Sequence, residues 1–119
     1  MGRVSEHDDD HDVELRAPAI VFPGQAAAPE AAYRTAYDLL SRRAPAEALD
    51  VIEPALADEP DNTGLRTLRA WAFLMRAQLQ RAEAELEWLV GQNPSDDWAQ
   101  HALGRCLARQ NRYELALTA

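Results

Sequence analysis

The residue types best suited to metal chemistry stand together near the N-terminus, in the stretch "HDDDHD". Two histidines lie four residues apart among aspartates, and the set comprises His7, His11, Asp8, Asp9, Asp10 and Asp12. Imidazole and carboxylate groups are metal ligands, but a metal site needs a fixed geometry. A run of like charges usually repels itself and stays solvated. We therefore interpret the stretch as an acidic tail and expect no metal site.

The rest of the chain shows no catalytic combination of side chains. It has no glycine-rich phosphate loop, no His-Glu-x-x-His pair, no Gly-x-Ser-x-Gly turn and no Cys-x-x-Cys pair. His101 is the only histidine after the tail, and we interpret it as a contact residue rather than a base. Cys106 is the only cysteine, and we interpret it as a small packing residue. We expect a protein that is not an enzyme, with no catalytic residue and no cofactor.

Charge and composition limit the classes of partner. The 119 residues include twelve arginines, no lysine and twenty acids, for a net charge of −8. Residues 1–28 hold six acids and two arginines, and residues 29–119 hold fourteen acids and ten arginines, so each part carries −4. Nucleic-acid binding needs a basic surface, so we expect no nucleic-acid partner. A single cysteine favours a cytoplasmic location, and without a long apolar run we expect no membrane partner.

Residues 1–28 are predicted to form a disordered or extended acidic tail. Its second half, within "RAPAIVFPGQAAAPE", has prolines and a glycine at intervals that interrupt any helix, at Pro18, Pro23, Gly24 and Pro29. From Pro29 onward the pattern changes, and a folded domain is predicted over residues 29–119.

Apolar residues in this domain recur at three- and four-residue spacing, which is typical of amphipathic helices. Short polar breaks separate the helices, and they read "RRAP", "DEPDNT", "AQLQ", "GQNPSDD" and "RQNR". The last break is predicted to end the fifth helix and to begin a sixth. Asn62 or Thr63, and Ser95 or Asp96, are the predicted N-caps. Pro54 lies inside the second helix and is predicted to bend or break it.

When the sequence of the domain is aligned with itself, similar residues recur at an offset of 34 residues, which is the separation of Pro60 and Pro94. The same offset aligns four columns, namely Ala36, Ala70 and Gly104; Leu39, Phe73 and Leu107; Ala48, Ala82 and Ala116; and Ile52 and Leu86. A helix–turn–helix unit of about 34 residues is the signature of the tetratricopeptide repeat. Over residues 29–119 the chain resembles this family in its short bacterial form. The family pattern is clearest in the third unit, at Leu103, Gly104, Leu107, Tyr113 and Ala116.

The resemblance implies an all-α fold, a tetratricopeptide-like right-handed solenoid of antiparallel helix hairpins. About two and a half repeats are expected, over residues 29–62, 63–96 and 97–119, the last one incomplete. Gly104 is then explained as a small residue that lets the second helix of its pair approach closely. The apolar side of the third unit is expected to be partly bare, because its second helix is short.

In this family the first helices of successive units line a concave groove that binds a peptide or a helix of a partner. The register assigns eight partner-binding residues, which are Tyr33, Tyr37, Trp71, Met75, Trp98, His101, Arg105 and Arg109. Aromatic, methionine and arginine side chains are frequent in binding hot spots. We expect a protein or peptide partner that is apolar with some acidic character. The alternative is that Tyr37, Trp71 and Met75 only pack between helices.

Three functions remain open at this point. The first is an adaptor or scaffold that binds a partner in the groove. The second is a self-assembly module, with a possible homodimer through residues 103–119, and the third is a small chaperone for apolar segments. A further hypothesis concerns the tail, where acidic residues precede "APAIVF". The acidic part of the tail complements the arginines at one end of the groove, and the apolar part complements its aromatic residues. The tail is therefore a candidate to fold back into the groove and compete with the ligand.

Overall fold

The computed structural model describes residues 17–18 and 27–118 of the chain. These residues form five helices and no strand, so this part of the chain is all-α. The helices are α1 (Ala27–Ser41), α2 (Pro45–Asp58), α3 (Thr63–Met75), α4 (Leu79–Gln92) and α5 (Asp97–Thr118). None of the five is long and apolar enough to cross a membrane.

Most of the predicted tail lies outside the described residues. The interpretation of the "HDDDHD" stretch, with His7 and His11, belongs to that part and stays a prediction. The first helix begins at Ala27, two residues before the predicted start of the folded domain at Pro29. Pro29 falls in the first helical turn, where the missing N–H would have had no partner within the helix.

The polar breaks hold the helix ends in place. The Asn62 side-chain oxygen accepts a hydrogen bond from the Leu65 backbone N–H at 3.0 Å, which makes Asn62 the N-cap of α3. Asp96 acts in the same way before α5, where its carboxylate accepts from the Ala99 N–H at 3.0 Å. Both predicted caps are thereby resolved to a single residue each.

The 34-residue offset also relates the first two helix pairs in structure. Arg43 and Ala77, which the offset aligns, both have left-handed backbone, with φ of 62° and 57°. This conformation ends a helix and turns the chain back. The small residues that the offset aligns are completely buried from solvent in both helices of each pair. They are Ala36 and Ala70 in the first helices, and Ala48 and Ala82 in the second helices.

Two clusters of buried side chains form the core. The first lies between α1, α2 and α3 and includes Leu40, Ile52 and Leu68, and the second lies between α3, α4 and α5. Full burial of each such side chain contributes about 1.5–3 kcal/mol. Trp98 of α5 packs against both clusters, so it joins the last helix to the first pair.

Of the bend or break predicted at Pro54, the break does not occur. Helix α2 runs from Pro45 to Asp58 with Pro54 inside it. Proline cannot donate to the carbonyl of Asp50, but both residues are exposed. Water can therefore bond to that carbonyl, and the helix tolerates the lost hydrogen bond.

The predicted break at "RQNR" is also wrong. Helix α5 is continuous over 22 residues, from Asp97 to Thr118. After Gly104 its sequence contains neither glycine nor proline, and arginine, glutamine, leucine and alanine are good helix formers. The third unit therefore consists of one long helix where a helix pair was expected.

The explanation for Gly104 fails for the same reason. A Cβ atom added at Gly104 would meet nothing within 4 Å, because none of the described helices packs against that side of α5. Leu107, one turn further on, is 44% exposed, whereas its aligned counterpart Phe73 is 7% exposed. This side of α5 is uncovered in the described structure.

Replacing Gly104 by alanine is expected to stabilise the protein. Alanine favours the helix by about 0.5–1 kcal/mol over glycine, and no neighbouring atom obstructs the added methyl group. Gly64→Ala is the matched control, because its Cβ would lie 3.1 Å from the Tyr33 ring, which is buried and would have to move. Urea unfolding followed by circular dichroism measures both. A loss of stability in Gly104→Ala would mean that a neighbour covers this side of α5.

Candidate partner-binding site

Five of the eight predicted binding residues gather in one cluster. Tyr33 and Trp71 belong to the first core cluster, and Tyr37, Met75 and Trp98 pack against it while remaining partly exposed. They come from α1, α3 and α5, the three helices on which the repeat register placed them. We call these five residues the aromatic face.

The rings of the aromatic face are held by one another. Tyr33 and Tyr37 lie four residues apart on α1, and their ring centroids are 6.1 Å apart with an interplanar angle of 27°. The ring of Tyr37 meets that of Trp71 edge-on, with centroids 5.7 Å apart and an angle of 62°. Such pairs contribute about 0.5–1.5 kcal/mol each beyond burial. Tyr37 is therefore fixed between two aromatic neighbours.

Burial divides the aromatic face into two layers. Tyr33 and Trp71 are only 5% and 9% exposed, so they support the surface and offer little area to a partner. Of the three residues in the packing alternative, Trp71 is buried, whereas Tyr37 and Met75 remain partly exposed. The outer layer consists of Tyr37, Met75 and Trp98, each of which keeps part of its surface accessible. These are the members that a partner can touch.

The other three predicted residues follow Trp98 along α5. His101, Arg105 and Arg109 stand at three- and four-residue intervals, which puts them on one side of the helix. His101 is exposed, and the two arginines are half-buried. Arginine binds carboxylates through two parallel N–H donors. This side of α5 therefore adds a positively charged end to the aromatic face.

A segment of the chain itself meets the aromatic face at Tyr37. The hydroxyl of Tyr37 donates a hydrogen bond to the backbone carbonyl of Pro18, with an O–O distance of 2.9 Å. Pro18 is buried, although it precedes the start of α1 by nine residues. A tyrosine hydroxyl at the edge of an apolar surface needs an acceptor, and a backbone carbonyl supplies it here. Tyr37 thus has the geometry to hold a peptide backbone.

Sequence reasoning missed a charged cluster between the helices. Glu85 of α4 is 5% exposed and forms ion pairs with Arg66 and Arg69 of α3, the second at 3.0 Å. Arg69 also pairs with Glu53 of α2 at 2.9 Å. The guanidinium of Arg66 lies over the ring of Trp88, 3.7 Å from its centroid. The cluster therefore joins α2, α3 and α4.

A signal for this cluster was present in the sequence. Glu85 stands between Ala82 and Leu89 at helical spacing, directly before Leu86, on a side of α4 that is otherwise apolar. A carboxylate in that position is either exposed by a distortion or neutralised by a partner. Arg66 and Arg69 lie three residues apart on the preceding helix, so a positively charged partner for this carboxylate was available in the sequence.

Removing the charge of Glu85 is expected to destabilise the fold. Glu85→Gln leaves two arginines without their shared carboxylate, which costs about 2–3 kcal/mol because their side chains are only 17% and 21% exposed. Glu87→Gln, an exposed position on the same helix, is the control and should change stability by less than about 0.5 kcal/mol. Thermal unfolding followed by circular dichroism compares the two. Equal midpoints would show that the cluster contributes nothing to stability.

Cys106 is a buried packing residue in the second core cluster. Its thiol lies 3.2 Å from the carbonyl of Leu79. Burial raises the pKa of the Cys106 thiol, and the negative charge of Glu83 raises it further. The reactive thiolate is therefore scarce at neutral pH, which agrees with the interpretation of this residue from sequence.

Among residues 17–18 and 27–118, no group of three or more His, Cys, Asp or Glu side chains could hold a metal ion. In comparisons with known proteins, no family model, no curated protein and no solved structure matches the chain.

Proposed function

We propose that this chain is an adaptor or scaffold that binds a peptide or a helix of a partner protein in a concave groove formed by α1, α3 and α5. The groove is that of a short tetratricopeptide-like right-handed solenoid. One observation carries the proposal: Tyr37, Met75 and Trp98 converge from three helices on one cluster and remain partly exposed. Apolar patches of this kind on a packed domain mark binding surfaces. The role is binding without catalysis, and a cytoplasmic location is part of the proposal.

The chemistry of the surface favours a partner that is apolar with some acidic character. The outer aromatic layer and Met75 supply contact area, and methionine adapts to apolar side chains of different shape. Arg105 and Arg109 supply positive charge at the α5 end, which favours an acidic segment of the ligand. Apolar residues of the ligand are therefore expected to lie on the aromatic face, and its acidic residues are expected to lie towards the α5 end.

Selection of peptide ligands tests this proposal. Phage-displayed random peptides are selected on the immobilised full-length chain, and the affinity of a selected peptide is measured by fluorescence anisotropy. We expect ligands that combine apolar and acidic residues. Arg105→Glu should weaken binding by about 1 kcal/mol, or about fivefold in Kd. Arg81→Glu is the control, because Arg81 is exposed on α4, outside the aromatic face.

The outcomes of this selection separate the functions. Loss of affinity in Arg105→Glu, with no change in Arg81→Glu, supports binding at the proposed surface. Selected peptides that ignore the Arg105 substitution would place the site elsewhere. Peptides that share apolar residues but no acidic preference would favour the small chaperone over an adaptor. Circular dichroism of each variant confirms that the fold is unchanged.

Self-assembly is the second candidate function, and the uncovered side of α5 favours it. Leu107 is the one large hydrophobic residue exposed among residues 17–18 and 29–112, whose side-chain burial the structure describes, and the space beside Gly104 is open. A homodimer through residues 103–119 would cover both.

Light scattering at increasing protein concentration distinguishes the two candidates. The adaptor proposal expects the monomer mass of 13.2 kDa throughout. Self-assembly expects a mass twice that value, reduced to the monomer by Leu107→Glu. Ala84→Glu, at an exposed position of α4 outside residues 103–119, is the control and should leave the mass unchanged.

A further inference from the structure

The contact between Tyr37 and Pro18 indicates which kind of peptide the aromatic face accepts. Pro18 is buried, and its carbonyl accepts the Tyr37 hydroxyl at 2.9 Å. We infer that the surface at Tyr37 recognises an extended, proline-containing segment, and that residues around Pro18 occupy it within the same chain. This inference rests on the proposed function and names the class of ligand for it.

Proline suits this position for conformational reasons. Its ring fixes φ, and the residue before it, Ala17, is restricted to extended backbone. The pair therefore loses little entropy when it is held against a surface. Proline also has no N–H group, so its burial leaves no donor without a partner. Aromatic surfaces that bind extended proline segments use these same properties.

The sequence on either side of Pro18 complements the rest of the surface. Acidic residues precede it in "EHDDDHDVELR", and apolar residues follow it in "AIVF". The negative charge before Pro18 is opposite in sign to the arginines of α5 that continue the aromatic face.

Covalent attachment makes even a weak occupant effective. A segment joined to its site by a short linker acts at an effective concentration in the millimolar range. With an intrinsic Kd of about 0.1 mM it would be bound most of the time and would weaken an external ligand about tenfold. The proline segment would then raise the apparent Kd of every external ligand by this same factor.

The test uses a fluorescein-labelled synthetic peptide with the sequence of residues 5–22, "SEHDDDHDVELRAPAIVF". Its affinity is measured for the full-length parent chain and for three full-length variants, Pro18→Gly, Pro23→Gly and Pro18→Gly/Tyr37→Phe. Pro18→Gly weakens the internal occupant and leaves the surface unchanged, so it should bind the peptide about three- to tenfold more tightly than the parent. Pro23→Gly is the matched control and should behave as the parent.

The double variant tests the hydrogen bond itself. Tyr37→Phe keeps the ring and removes the hydroxyl, so Pro18→Gly/Tyr37→Phe should bind the peptide about three- to tenfold more weakly than Pro18→Gly. Circular dichroism checks that both fold alike.

Each other outcome overturns the inference. Equal affinity of the parent and Pro18→Gly would show that the segment does not occupy the surface. An unchanged affinity in the double variant would move the contact away from Tyr37. A parent chain that scatters as a dimer, and as a monomer in Pro18→Gly, would mean that the segment occupies a second copy. If this peptide binds no variant while library-selected peptides still depend on Arg105, the adaptor function stands and this inference fails.

Discussion

The buried carboxylate of Glu85 constrains how the helices can lie against one another. A charge that is 5% exposed is tolerated only while its counter-charges stay in contact, so α4 has to keep Arg66 and Arg69 of α3 within ion-pair distance. Arg69 extends the constraint to α2 through Glu53. Because the side of α3 that carries Arg66 and Arg69 forms these ion pairs, Leu68, Trp71 and Met75 pack in or against the first core cluster.

The aromatic face is a consequence of that arrangement. Trp71 is buried beneath it and meets Tyr37 edge-on, and Trp98 joins the last helix to the same cluster. A rigid lower layer lets the outer side chains keep a fixed position without being fully buried. Binding surfaces gain affinity from such fixed positions because less freedom is lost when a ligand arrives. The contact between Tyr37 and Pro18 shows one backbone carbonyl held in this way.

Much of the described fold could be predicted from local pattern, because helix spacing, capping residues and the 34-residue offset are local or periodic signals. The failures concern features that depend on neighbours. The break expected at "RQNR" and the role given to Gly104 both assumed a helix that would pack on α5, and none of the helices in the described part of the chain covers that side. Pro54 is tolerated because its position is exposed. In the candidate site, the spacing brought five of the eight predicted residues into one cluster but did not predict the burial of Tyr33 and Trp71. The hydrogen bond between Tyr37 and Pro18 joins residues that are 19 positions apart, and no periodicity of the sequence indicates such a contact.

The continuity of α5 has a consequence for what can be assembled around this molecule. Residues two positions apart on a helix are separated by about 200° around its axis, so Arg105 and Leu107 point to nearly opposite sides. One side is charged and continues the aromatic face, and the other is apolar and uncovered. Because both belong to a single rigid rod, no flat surface can cover them together. The helix therefore presents two separate surfaces, and anything that covered one of them would leave the other accessible to water.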